Sequence, residues 1–138
     1  MKISQEADYA MRIVYSLALC EPGDRLGVRV ISENMNIPLR FALKIFRKLN
    51  LAGITKSYRG VYGGYALAKR PDQLSFRNVI EAIDGVASIN RCVTNHEFCN
   101  RDASGDCPMH KKFEELQKDI NAKLEEVKFS ELLPNAKP

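Results

Sequence analysis

The 138-residue sequence lacks the features that direct a chain into a membrane or out of the cell. No apolar run comes near the ~20 residues that a membrane-spanning helix requires. The first ten residues, MKISQEADYA, are too polar for a secretory signal peptide. We therefore expect a cytoplasmic protein with no membrane partner, in which cysteine thiols remain reduced.

The sequence also lacks the residue combinations that usually indicate catalysis. It contains no paired carboxylates and no nucleophile placed beside a general base. The segment GVYGGYA is rich in glycine but is not a phosphate-binding loop, because the Gly-Lys-Ser/Thr end of that motif is missing. The chain is therefore not expected to be an enzyme. Its length is that of one compact domain with a core of its own.

Charge is unevenly distributed along the chain, although the formal net charge is only +4. Residues 1–70 hold 12 Lys and Arg against 5 Asp and Glu, whereas residues 71–138 hold 9 against 12. An excess of positive charge in one half is typical of a protein that binds a polyanion. A solvated surface explains charge alone equally well. Which secondary-structure elements carry the positive charge therefore decides between a polyanion-binding surface and an ordinary solvated surface.

Four amphipathic helices and a hairpin are predicted in the first 85 residues. Apolar residues recur at helical spacing in the segments 5–20, 28–35, 38–53 and 75–85. Two short β-type runs, ITKSY and GYALA, flank the turn RGVYGG. Two helices joined by a tight turn and followed by a hairpin are typical of a winged helix-turn-helix. The sequence thus predicts a mostly α fold with a small β-hairpin wing.

The third predicted helix carries its cations on the face opposite its apolar residues. A helix fits the major groove of B-DNA, and its N-terminal end usually meets the base edges. Arg40 and Lys44 are therefore the expected base contacts. Arg47 and Lys48, farther along, are expected to contact phosphate.

The hairpin is expected to contribute further DNA contacts. An Arg at a glycine-rich wing tip can enter a narrow minor groove, and glycines allow the backbone to approach phosphate closely. The expected wing contacts are Lys56, Tyr58, Arg59 and Gly60.

Three of the four cysteines and both histidines fall within residues 91–110, at the spacing Cys92-x6-Cys99-x7-Cys107-x2-His110. Thiolates and imidazole are ligands of zinc and of iron–sulfur clusters. Gaps of six and seven residues favour a group larger than one ion, so the spacing favours iron–sulfur over zinc. A disulfide or inert thiols also remain open. Cys20 is predicted to be a core thiol, and His96 a solvated loop residue.

A long charged helix with a heptad-like apolar seam is predicted after the cysteines. The seam consists of Phe113, Leu116, Ile120, Leu124 and Val127. Such a helix can pack on its own domain, but after a small winged domain it more often pairs with a second copy. We therefore divide the chain into a DNA-binding domain (1–85), a cysteine-rich loop (86–110), a dimerisation helix (111–129) and a tail (130–138).

Several stretches together resemble the Rrf-type family of bacterial winged-helix regulators. They are ISQEADYAMR, KIFRKLNLAGITKSYRGVYGGYALA, VIEAIDG and the three cysteines before a long helix. The resemblance covers about residues 1–127. It implies a homodimer that binds a roughly palindromic operator in double-stranded DNA and acts most often as a repressor. It also implies an iron–sulfur cluster, 2Fe–2S or 4Fe–4S, on Cys92, Cys99 and Cys107, whose state controls DNA affinity in response to nitric oxide, redox state or iron supply.

The resemblance leaves the fourth ligand open. Some members use a His shortly after the third Cys, which His110 matches. Others use an Asp in the first helix of the partner chain, which Asp8 matches. We favour His110 because it is local to the loop. The stretch RFALK, with Leu43 at its centre, departs from the polar and acidic pattern of the iron–sulfur-assembly regulators, so their operator cannot be carried over.

Two alternatives to a cluster-controlled regulator remain at this point. The same DNA-binding module can carry a zinc site or a thiol-redox switch. A different class of protein, a small metal-dependent electron carrier, would use the basic face to dock an acidic protein.

Overall fold

The computed structural model describes residues 2–101 and 105–135. Within these ranges the chain forms six α-helices and one two-stranded antiparallel hairpin. Their bounds are α1 Gln5–Ala18, α2 Val28–Met35, α3 Leu39–Leu51, β1 Thr55–Tyr58, β2 Gly64–Leu67, α4 Phe76–Asp84, α5 Arg91–Thr94 and α6 Pro108–Glu126. The mostly α fold with a β-hairpin wing is confirmed. No helix in the described ranges is long and apolar enough to cross a membrane.

Helix α1 begins as its sequence predicts and ends slightly earlier. Ser4 caps it by accepting a hydrogen bond from the backbone N–H of Ala7 at 3.0 Å. The helix ends at Ala18, and Cys20 lies beyond it, where its N–H turns back to the carbonyl of Leu17. Cys20 is therefore half-buried and not a core thiol. Burial raises the pKa of its thiol, and the nearby charge of Asp24 raises it further.

The turn between α2 and α3 sets the angle of the helix-turn-helix. Asn36 ends α2 in the left-handed conformation, with φ of 53°, which asparagine tolerates better than most residues. Pro38 immediately precedes the first residue of α3. The predicted inner face of α3 is confirmed, since its four apolar residues are fully buried: Ala42, Ile45, Phe46 and Leu49.

The hairpin is held to α3 by one aromatic pair. Thr55 pairs with Leu67 at its base and Tyr58 with Gly64 near its tip. The ring of Tyr65 stacks on Phe46, with centroids 3.7 Å apart. Tyr65 also pairs with Leu26, which joins the segment before α2 to the hairpin. At the tip, a side chain at Gly63 would lie 2.5 Å from the carbonyl oxygen of Tyr58, so only glycine fits.

The C-terminal part of the chain returns to the winged domain. Helix α4 is capped by Ser75 and followed by Gly85, whose φ of 77° ends the helix as expected. Helix α6 packs against α4 and α5 and ends at Glu126. Beyond it, the N–H of Phe129 bonds to the carbonyl of Leu74, and the Phe129 ring is buried in the core.

The predicted apolar seam of α6 is partly buried against the chain's own domain. Phe113, Ile120 and Leu124 are half-buried without any partner molecule, whereas Leu116 is 50% exposed. Val127 is not part of the helical seam, because it adopts an extended conformation at the helix end. The seam is therefore partly covered by the chain's own domain, and Leu116 remains exposed at its edge.

Candidate nucleic-acid interface and cysteine cavity

The outer face of α3 presents three exposed cations. Arg40 stands in the first turn, Lys44 one turn on and Arg47 in the next, all on the side opposite the buried residues. Two leucines on the same outer side, Leu43 and Leu51, are also exposed. The face therefore combines charge for phosphate or guanine with apolar groups of the kind that contact thymine methyls.

Lys48 lies at the edge of this face and is paired within the protein. Its Nζ lies 2.8 Å from Oε1 of Glu6 on α1, and Nζ of Lys44 lies 3.8 Å from the same oxygen. Periodicity could not predict this, because Glu6 is distant in sequence. Pairs of this partly exposed kind stabilise by only ~0–1 kcal/mol, so they leave both lysines able to meet an anion.

A cation that was not predicted from the sequence, Arg25, lies against the wing. The guanidinium of Arg25 lies over the ring of Tyr58, 3.5 Å from the centroid. Its Nη1 also donates to the carbonyl of Tyr62 at 3.2 Å. Arg25 reaches the wing because its neighbour Leu26 pairs with Tyr65. The stack leaves Tyr58 only partly exposed, whereas Arg59 and Gly60 at the tip are open to solvent.

The four ligands predicted within 91–110 come together around one cavity of about 150 Å³. Cys92 comes from α5, Cys99 follows a short 3₁₀ turn, and Cys107 and His110 start α6. No disulfide joins any of the four cysteines, all of which lie in the described ranges. The cavity is about ten times the smallest volume that holds a water molecule, so it has space for more than one metal ion.

His110 is the most buried of these side chains, with 4% of its surface exposed. Neither ring nitrogen has a hydrogen-bond partner among the described residues. A buried polar atom without a partner is costly, and it needs an explanation. Three half-buried thiols and an unsatisfied imidazole around one cavity are a donor set that fits an iron–sulfur cluster.

Asp8, the alternative fourth ligand, does not line this cavity in its own chain. It lies on α1, 52% exposed, and pairs with Nη2 of Arg12 at 2.7 Å. Asp8 could therefore act as a cluster ligand only towards the cavity of a partner chain, as the family resemblance implies.

The start of the cysteine loop is held by a glutamine that sequence reasoning missed. Oε1 of the buried Gln117 accepts a hydrogen bond from the N–H of Ile89 at 2.8 Å, and its amide donates to Asn121 at 2.9 Å. The spacing contained a signal, because Gln117 falls between Phe113 and Ile120 on the inward face of α6.

Comparison with known proteins assigns the family. A family model named Rrf2 and described as "Iron-dependent Transcriptional regulator" matches residues 3–135. The chain belongs to the Rrf2 family. It is 29% identical over 133 residues to the HTH-type transcriptional regulator IscR of Aliivibrio salmonicida, an alignment that covers 96% of this chain and 77% of that protein.

Solved structures show the same fold. CymR, the global cysteine regulator of B. subtilis, aligns with a TM-score of 0.79 and 20% identity over 99% of both chains. IscR of T. potens aligns with a TM-score of 0.74 and 22% identity over 99% of this chain and 89% of that one. The Rrf2-family chain is thus a DNA-binding transcription regulator with a winged helix. That its relatives are regulators and not enzymes confirms the expectation from the sequence and leaves the electron-carrier alternative without support.

Proposed function

We propose that this Rrf2-family regulator holds an iron–sulfur cluster on Cys92, Cys99, Cys107 and His110, and that the state of the cluster sets its affinity for operator DNA. The observation that carries the proposal is the common cavity: four donors from three segments line one space, and the imidazole among them is buried and unsatisfied. The family model's description, "Iron-dependent Transcriptional regulator", and the similarity to relatives named IscR support this proposal.

The residues of the loop have distinct tasks in this proposal. The three thiols, as thiolates, supply soft ligands, and the imidazole of His110 completes the set from the first turn of α6. When bound, the cluster supplies a centre that is sensitive to oxidation, nitric oxide and loss of iron. Phe98, Met109 and Phe113 contribute apolar walls to the same cavity.

A continuous set of contacts links the cavity to the DNA-binding face. Gln117 ties the start of the loop to α6, α6 packs on α4, and α4 packs on α1 and α3. Metal ligation couples to the folding of a loop that has little regular structure of its own. Ligation at the cavity therefore holds α5, the 3₁₀ turn His96–Phe98 and the start of α6 together and, through α4, biases the position of α3.

DNA is bound by the outer face of α3 together with the wing. In this arrangement Arg40 and Lys44 read base edges, and Arg47 and Lys48 contact phosphate. The wing adds backbone or minor-groove contacts through Lys56, Tyr58, Arg59 and Gly60. A homodimer pairs along the open edge of α6, where Leu116 is exposed. Two α3 helices then meet half-sites about one helical turn, ~34–36 Å, apart in a roughly palindromic operator.

Anaerobic purification tests the cluster directly. We expect a brown protein with visible absorption that contains iron and acid-labile sulfide. Replacing Cys92, Cys99 or Cys107 by Ala abolishes the colour, while the matched variant Cys20→Ala retains it. Colourless protein that binds its operator normally after anaerobic reconstitution would overturn the proposal. Zinc without sulfide would instead identify a zinc-dependent regulator.

Two further variants assign the fourth ligand. His110→Ala and Asp8→Ala are compared for cluster content and for the rate of cluster loss in air. We expect the larger effect from His110→Ala, because His110 lies in the cavity wall and Asp8 is paired with Arg12. The opposite ranking would assign the ligand to Asp8 of the partner chain.

A further inference from the structure

A second group of metal-ligating side chains lies beside the cysteine cavity. It consists of His96, His110 and Glu114, whose potential ligand atoms all lie within 4.8 Å of one another. The rings of His96 and His110 are 4.9 Å apart between centroids. Nε2 of His110 lies 3.3 Å from Oε1 of Glu114, one turn along α6. None of the three is a cysteine, and the group shares only His110 with the proposed cluster ligands.

The geometry suits a single transition-metal ion. Zinc binds imidazole nitrogen and carboxylate oxygen at ~2.0–2.2 Å, which places two ligand atoms of a tetrahedron about 3.4 Å apart. The separation of Nε2 of His110 from Oε1 of Glu114 is close to this value. Two imidazoles and one carboxylate, with water in the remaining position, are a common donor set for divalent first-row metals.

The burial of His110, which also supports the cluster proposal, indicates that its imidazole has a ligand. Its imidazole is 4% exposed, and neither ring nitrogen makes a hydrogen bond to a described residue. The Nε2–Glu114 contact is close but does not have hydrogen-bond geometry. A bound cation would satisfy a ring nitrogen and bring in Glu114 and His96, which are exposed and free to adjust.

We propose that His96, His110 and Glu114 form a second metal site that holds one divalent first-row transition-metal ion, such as Zn²⁺ or Fe²⁺, when the cluster is absent. Both ligands on α6 lie on one face, at i and i+4. His96 is supplied by the short 3₁₀ turn His96–Phe98 between Cys92 and Cys99. Because His110 borders both sites, the cluster-free protein retains a metal-dependent order in this loop.

Titration of cluster-free, full-length protein with Co²⁺ tests the site. The three thiols compete for Co²⁺ in this protein, so in a variant that lacks them we expect visible d–d absorption at one equivalent without a sulfur-to-cobalt charge-transfer band, and displacement of Co²⁺ by Zn²⁺. His96→Ala and Glu114→Gln each weaken binding at least ~10-fold. The matched control is Glu115→Gln on the same helix, since Glu115 pairs with Lys112 at 2.9 Å and not with a histidine. Far-ultraviolet circular dichroism verifies that each variant is folded.

A triple variant, Cys92→Ala with Cys99→Ala and Cys107→Ala, separates this site from the thiols. Unchanged Co²⁺ binding in that protein supports the inference, and lost binding overturns it. Cluster assembly in His96→Ala is measured in parallel. If the wild-type protein assembles a normal cluster but does not bind Co²⁺, the second site is contradicted and the proposed function stands. If it binds Co²⁺ but assembles no cluster, the proposed function is contradicted and the second site stands.

Discussion

The guanidinium of Arg25 lies 3.5 Å from the centroid of the Tyr58 ring. The stack braces the wing from outside the hairpin, because Arg25 precedes α2 and also holds the carbonyl of Tyr62. A planar guanidinium stacks on an aromatic face and donates in a fork, which an ammonium cannot do. The conformation of the wing therefore depends on β1, on β2 and on the segment around Arg25 that precedes α2.

Replacing Arg25 by Ala is expected to weaken operator binding by loosening the wing. A cation–π contact contributes ~0.5–2 kcal/mol, which corresponds to about 2- to 30-fold in affinity. Fluorescence anisotropy with labelled operator measures the change. Arg25→Lys retains the charge but not the stack, so it is expected to remain weak. Full rescue by Lys would mean that Arg25 acts on DNA through charge alone.

Arg40→Ala is expected to change the sequence specificity of DNA binding, whereas Arg47→Ala is expected to weaken binding to all DNA sequences. Loss of a base contact at Arg40 costs ~1–3 kcal/mol and relaxes specificity at one operator position. Loss of a phosphate contact at Arg47 weakens operator and scrambled DNA alike and reduces the salt slope by about 1. Affinities for both DNAs across a range of salt concentrations separate the two. The assignment is wrong if Arg40→Ala weakens binding to both DNAs equally and Arg47→Ala relaxes sequence specificity.

Gln117→Leu is expected to destabilise the protein by ~1 kcal/mol, because the N–H of the half-buried Ile89 loses its acceptor, the buried Oε1 of Gln117. Thermal unfolding of the cluster-free protein measures the loss. Lys118→Ala, an exposed change one residue along α6, serves as the control and should unfold near the wild-type temperature. Equal melting temperatures for Gln117→Leu and wild type would show that the bond to Ile89 contributes little.

Leu116→Glu is expected to convert a dimer to a monomer and to weaken operator binding. Leu116 is half exposed at the open edge of the α6 seam, where a charge would be buried by a second copy. Sedimentation velocity measures the oligomeric state. Lys118→Glu introduces the same charge on the opposite face of α6 and should leave the dimer intact. If Leu116→Glu remains dimeric, the dimer uses another surface.

Local sequence determined most of the architecture. The periodicity of α3 predicted its buried face because side chains three and four residues apart share a side of any helix. The glycine-rich turn predicted the hairpin because few other residues adopt its backbone conformations. The spacing of Cys92, Cys99 and Cys107 predicted a common site because intervening segments of six and seven residues are long enough to bring the three thiols together.

Only the tertiary structure decided which distant side chains meet. Arg25 reaches Tyr58, Lys48 reaches Glu6, and His96 meets His110 and Glu114 through the path of the folded chain, which periodicity does not encode. The seam of α6 illustrates the same limit. Its apolar spacing was visible in the sequence, but only the fold shows that α6 packs on α4 and α5 and that Leu116 remains exposed.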